Sequence, residues 1–464
     1  MSRILLCLAA LPFLALPCRA DEANSTPETL IRLSVEPVSA PKPALRYQLL
    51  PEFKEMNPGN PIQNYLKCFM EQQKFFFDKE AVARRENLST MPLAELPAGE
   101  LQHYGGSALV QADWAARLDN PDWQIMLSMK AQGIQTLIPD VQELRTLAAA
   151  LKVRFRAEVA LGHFDEGLRT AKTLFAMSRH LGEHPTFVGE LVGIAIANVA
   201  IGPLEEMLQQ PGCPNLYWAL TFLPTPLVPL DKGAAGELDW LRPTFRGLDD
   251  SQTMSAEQIE RFIGTLNGLL AGDNDEAGGG MRAWLDARNT DENLISAARR
   301  HLVESGIPRE RLARFSADQV ILLDEKRKCE ELHADVIKLV NLPVWQVEAF
   351  SARISSTKEP VLFDLAPAIA KVRRAQARLD QRIALLRYVE ALRLHAAEHD
   401  GAFPAVPSEI TVPLPDDPFT GKPFRYELKD GTVQIRGAAP AGEKQNPAFN
   451  VRYEVTAKKM KVAE

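Results

Sequence analysis

The stretch Leu137–Leu181, LIPDVQELRTLAAALKVRFRAEVALGHFDEGLRTAKTLFAMSRHL, decides the fold class. Leu137, Val141, Leu144, Leu147, Leu151 and Phe155 recur at steps of three and four, the spacing of one face of an α-helix. Gly162-His-Phe164-Asp-Glu-Gly167 breaks the pattern, and Leu168–Leu181 takes it up again. Two amphipathic helices joined by so short a turn form an antiparallel hairpin. Phe164 and Leu174 are expected in its core.

Downstream, Thr186–Leu208 reads as a third helix with Pro185 at its start. Its run is apolar enough to raise a membrane span. Glu190 and Asn198 lie inside it and Gly202-Pro203 interrupts it, so it is too short and too polar to cross a bilayer. Gly189, Gly193 and Ala197 form a smooth stripe, and a buried central helix is expected. Upstream, Ala44–Met56 reads as a short helix and Ile62–Glu86 as a long one, with Phe75-Phe76-Phe77 placed mainly for packing.

Prolines around 209–229 mark a boundary near 225–236, beyond which a second helical block begins. Ser255 with Gln258 and Ser316 with Gln319 read as capping boxes. Asp324–Glu331 is a solvated face of mixed charge. A long helix covers about 364–398; its Arg373, Arg374, Arg378, Arg382, Arg387 and Arg393 are expected to snorkel around an apolar stripe. After Asp400-Gly401 the sequence turns to strands: Phe424–Leu428, the turn Lys429-Asp-Gly431, Thr432–Arg436, and Asn450–Val455.

The first residues read as an export signal: Arg3, an apolar run from Ile4 to Leu16, and small residues before a cleavage point after Ala20. Pro17 is a poor neighbour for a lipidated cysteine, so lipid anchoring at Cys18 is the lesser expectation. The organisation is therefore a signal peptide (1–20), an extended linker (21–43), an N-terminal helical domain (44–230), a second helical region ending in the long helix (231–400) and a small β-rich module (401–464). The fold class is mainly α, a helical-hairpin array with a small C-terminal antiparallel β module. Of the five cysteines, Cys68, Cys213 and Cys329 lie beyond the signal. No CxxC pair exists, which argues against a cysteine zinc site.

Three resemblances add to this. Gly162, Phe164 and Gly167 resemble the centre of a tetratricopeptide unit, which implies a TPR-like helical array. Glu398-His-Asp-Gly401-Ala-Phe-Pro404 and Asp416-Asp-Pro-Phe419-Thr-Gly421-Lys-Pro423-Phe-Arg-Tyr426 resemble the globular end of pseudopilins. The family's hydrophobic assembly helix should begin the mature chain, whereas the long helix here is internal. Leu144–Leu151 and Gln209-Gln-Pro-Gly-Cys-Pro-Asn-Leu-Tyr-Trp-Ala219 resemble a group of uncharacterised exported bacterial proteins, which implies a family without an activity.

The chemistry offered is thin. His180-Leu-Gly-Glu183-His184 and His395-Ala-Ala-Glu398-His399 both spell H-x-x-E-H, a zinc-hydrolase pattern. Both stand where a helix ends, and Glu409 and Glu427 lie in turns or strands, so no third ligand is evident. Asp273-Asn-Asp275 begins like a calcium loop, but Ala277 and Trp284 fall on ligand positions. No nucleophile elbow, P-loop or dinucleotide fingerprint occurs. With 53 basic against 60 acidic residues, a net charge of −7, nothing recommends nucleic acid as a partner. No catalytic, cofactor-binding or metal-binding residue is assigned and no cofactor is expected. The expectation is an exported, non-enzymatic scaffold that binds a protein or envelope macromolecule, without a transmembrane span in the mature chain. A zinc-dependent hydrolase and a pseudopilin-like envelope component are the alternatives.

Overall fold

The computed structural model describes residues 27–132, 139–270, 280–348, 350 and 366–458. The chain is mainly helical, with a small sheet that contains the C-terminal strands. Strand β1 (Thr29–Val35) comes first. Helices α1 (Pro61–Glu71), α2 (Gln73–Phe77), α3 (Lys79–Thr90), α4 (Gly106–Ala115) and α5 (Met126–Gln132) lead to α6 (Pro139–Ala160), α7 (Phe164–Gly182) and α8 (Phe187–Leu208). Then come α9 (Tyr217–Thr221), α10 (Asp231–Thr244), α11 (Ala256–Leu270), α12 (Gly280–Asn289), α13 (Glu292–Glu304), α14 (Arg309–Leu312) and α15 (Ala317–Lys338). The long α16 (Ala366–Glu398) precedes β2 (Asp416–Asp417), β3 (Lys422–Pro423), β4 (Arg425–Lys429), β5 (Thr432–Arg436) and β6 (Val451–Ala457).

The hairpin α6–α7 turns at Gly162, whose φ of +73° suits a residue without Cβ. Leu144, Leu151, Phe155 and Leu174 are fully buried. Phe164 is only half-buried, because it opens α7 at the surface end of the turn. Helix α8 packs on both hairpin helices and on α16. It is long and apolar enough to cross a membrane by length and composition, yet 67% of that window is buried inside the protein. The small-residue stripe explains the close fit. A Cβ on Gly193 would stand 2.8 Å from the Ser178 carbonyl, and one on Gly189 2.2 Å from the His184 ring. Helix α8 runs through Pro203 rather than stopping there, since Ala200, Ile201, Leu204 and Met207 are buried on both sides of it.

Several expectations are corrected. The segment 21–43 is not a tether throughout: Thr29–Val35 is a strand. Ile31, Leu33 and Val35 alternate with Arg32 and Ser34, a period-2 pattern hidden among proline and serine flanks. The segment 44–56 holds only a 3₁₀ turn at Phe53–Glu55. The expected helix 62–86 breaks at Gln72 and Asp78, where the Asp78 side chain accepts from the Glu80 amide and starts α3. The break folds Phe76 onto Phe69, with ring centroids 4.6 Å apart, and leaves Phe77 half-exposed. The arginines of α16 do not all snorkel: Arg373 and Arg393 are buried and bonded to the protein.

The four-stranded sheet has the order β1-β6-β5-β4, with β1 parallel to β6 and the other pairs antiparallel. Asp430 and Gly431, both at positive φ, make the two-residue hairpin turn between β4 and β5. Leu33 faces Val455 across the β1–β6 ladder, so the first described strand completes the last module. Val433, Ile435, Val451 and Tyr453 join α6, α7, α8 and α16 in one continuous core. Phe245, Phe262, Leu266, Leu285, Leu302 and Leu323 form a second core. Helix α15 contributes Leu322 and Leu323 to the second and Leu332 to the first. Helix α16, expected to end the second helical region, belongs to the first core.

Candidate functional site

The two H-x-x-E-H copies are the first places to look. At the first, α7 ends at Gly182, so His180 sits in its last turn and His184 beyond it. Nδ1 of His180 lies 3.0 Å from the Tyr65 hydroxyl, and the indole N–H of Trp123 donates to the His180 carbonyl at 3.1 Å. The His184 ring meets the Trp123 ring edge-on at 4.6 Å, and its Nδ1 lies 2.9 Å from Thr186 Oγ1. That hydroxyl also accepts from the Gly189 amide and caps α8. Burial pushes both histidines down to about 4, so both are neutral near pH 7. Glu183 is exposed, whereas both histidines are buried. The histidines serve the corner between α7 and α8.

The second copy ends α16. The rings of His395 and His399 stack at 3.9 Å with a 9° tilt, and His399 Nδ1 donates to the His395 carbonyl at 2.8 Å. Burial, then the neighbouring His399, lowers the His395 pKa. Glu398 is exposed. Among the described residues no group of three His, Cys, Asp or Glu side chains is placed to hold a metal ion. The calcium-like loop at Asp273–Gly278 lies outside the described residues.

Three buried polar clusters went unseen in the sequence. At the N-terminus of α8, Glu190 Oε1 accepts from the Gly233 amide at 2.6 Å and Glu237 Oε1 from the Phe187 amide at 3.2 Å. Glycine is needed opposite them: a Cβ on Gly233 would stand 2.3 Å from Glu190 Oε2, and one on Gly236 1.9 Å from the Pro185 carbonyl. Burial raises Glu237 to about 7 and Glu190 well above the carboxylate range. Each carboxyl thus accepts one amide from the first turn of the other helix, Glu190 from α10 and Glu237 from α8.

The second cluster is the ion pair Glu390–Arg393, with both side chains fully buried at 3.0 Å. Arg393 also donates to the carbonyls of Cys213, at 2.8 Å, and Glu36, at 3.0 Å. Glu390 accepts from Asn215 Nδ2 at 2.7 Å and from the Leu216 amide at 2.9 Å. The Cys213-Pro-Asn-Leu216 segment is thus a joint between α16, the loop after α8 and the end of β1. The third is Asp417, whose carboxylate accepts from the amides of Phe419 and Ala438 and from Gln381. It holds the turn that brings the strands against α16. None of the three opens on a solvent-exposed reacting position.

The surface offers more. Helices α1 and α4 lie side by side, joined by Gln72–Ser107 at 3.0 Å and Gln111–Asn64 at 3.3 Å. On this layer Met70 is 74% exposed, Val110 66% and Trp114 49%, and Phe77 of α2 is 50% exposed over the buried Phe69. Val110 and Trp114 stand one turn apart on the solvent side of α4. Apolar side chains grouped on one outer layer mark a surface suited to contact. Sequence reading could not separate them from core positions, because their helical spacing is the same. Comparison of the chain with protein-family models, with curated proteins and with solved structures finds no match.

Proposed function

We propose that this is an exported, non-enzymatic helical scaffold that binds a protein or another envelope macromolecule through the outer layer of α1, α2 and α4. The observation that carries the reading is the solvent exposure of Met70, Phe77, Val110 and Trp114 on adjoining helices. The polar clusters support it by their use: their side chains cap helices and join segments. A TPR-like character of the α6–α7 hairpin is part of the proposal. It is supported by the packing of α6 on α7 across the turn at Gly162. Export is supported by the pattern of residues 1–20, and the mature chain should begin at Asp21.

The test is capture from the cell envelope of origin by the full mature chain and by Val110→Glu/Trp114→Glu. Both substitutions are on the surface and should leave melting within about 0.5 kcal/mol of the wild type. The reading expects a macromolecule retained by the wild type and lost from the variant. Equal retention by both would remove this face as the binding surface. N-terminal sequencing of the exported chain checks Asp21 in the same preparation.

A further inference from the structure

Outside these clusters, one histidine is held between two carboxylates of a different helix. His301 in the last turn of α13 places Nδ1 2.6 Å from Asp324 Oδ1 and Nε2 3.1 Å from Glu331 Oε1. Asp324, Lys328 and Glu331 lie at i, i+4 and i+7 on one face of α15, and Lys328 Nζ stands 3.0 Å from the other Asp324 oxygen. A neutral imidazole has one N–H and can donate to one of these acceptors only; imidazolium donates to both. Loss of the proton would leave a ring lone pair facing a carboxylate across the helix pair.

We propose that His301 is a pH-operated clasp that fastens α13 to α15 when protonated and loosens that contact when the ring loses its proton. Among the described residues, the arginines of the neighbouring helices are engaged elsewhere. Arg288 of α12 lies over the Trp284 ring, and Arg299 of α13 bonds the carbonyls of Leu312 and Phe315. Arg311 of α14 reaches the Asp250 carbonyl. The groups that set the charge on His301 are therefore Asp324 and Glu331, with Lys328 balancing Asp324. Burial works against the imidazolium, but the two carboxylates outweigh it and hold the ring above its ordinary 6.5. Because the folded value is raised, the contribution is full below 6.5 and is lost as pH rises through the raised value. Ala298 and Leu302 hold α13 by its apolar side, so it loosens on one edge and remains in place.

Hydrogen exchange of the full chain at about pH 5.5 and about pH 8.5, corrected for intrinsic rates, tests the clasp. The peptide covering Glu292–Glu304 should lose protection several-fold at the higher pH. His301→Gln should show the wild type's high-pH protection at both values. Should that variant fold poorly, Glu331→Gln, changed at a half-exposed position, should keep the fold and shrink the pH effect. The His301 ring resonances of the unaltered protein should titrate above 6.5. A wild-type titration at or below 6.5, or a pH effect undiminished in either variant, overturns the proposal.

Discussion

The two cores of this protein are held by different physics. The first gathers α6, α7, α8, α16 and the sheet, and closes around charges removed from water, such as Glu390 with Arg393 and Arg382 beside Glu205 and Tyr453. The second, from Phe245 to Cys329, buries an apolar interior and, apart from Asp324, keeps its ion pairs at the rim: Arg282 with Glu260, Asp286 and Asp318, and Arg327 with Asp250 and Glu330. A buried pair ties distant segments together and is costly to break from one side, whereas a rim pair is screened by solvent. The first core is therefore expected to open as a unit and the second at lower cost.

Breaking that contrast is the sharpest use of mutagenesis. Arg393→Met strands the Glu390 carboxylate and the Cys213 and Glu36 carbonyls, and should cost about 3–5 kcal/mol in urea unfolding. A loss under about 1 kcal/mol would show that the joint does not bear on stability. Leu174→Ala, in the centre of the hairpin, should cost about 2–5 kcal/mol; wild-type melting would remove the hairpin from the core.

Glu237 makes the first core less stable as pH rises from the acidic range to neutrality. Its folded pKa is raised from 4.5 to about 7, so the carboxyl stays protonated in the folded chain while the unfolded chain ionises. Stability is then lost between about pH 4.5 and about pH 7, by an amount of order 3 kcal/mol. Glu237→Gln keeps an acceptor for the Phe187 amide and removes the proton. The variant should gain on the wild type as pH rises through this window, measured by melting at matched pH. A constant difference across the window contradicts the assignment. The smallest effect belongs to the second core: Arg282→Ala should cost less than about 1 kcal/mol and less still in high salt.

Much of this was legible in the sequence where the signal is local. The three- and four-residue steps of Val141–Phe155 specify a helix, and Lys429-Asp-Gly431 specifies a hairpin, without reference to the rest of the chain. The Ser255–Gln258 capping box is present as expected, with both reciprocal bonds made. At Ser316 only half of one forms, because the Gln319 side chain instead braces the loop at Asp249–Met254. Strand β1 escaped notice because its partner is Val451–Ala457, at the far end of the chain, and a short strand among prolines carries little periodicity. The arginines of α16 were misjudged for a related reason: spacing states which face a side chain takes, not what lies across from it. The outer layer of Met70, Val110 and Trp114 was hidden because exposure is a property of the assembled helices. The histidine motifs were visible, and their setting at helix ends was too, which is where the structure uses them.

The central claim, that β1 and β6 co-fold within one cooperative core while the second core opens separately, is tested by native-state hydrogen exchange of the whole protein over increasing denaturant. Amides of β1, β6, α8 and α16 should open together at the highest free energy. Those of α11–α13 should open as a group at a lower one. A single opening event for both sets, or the opening of β1 well before β6, would contradict it.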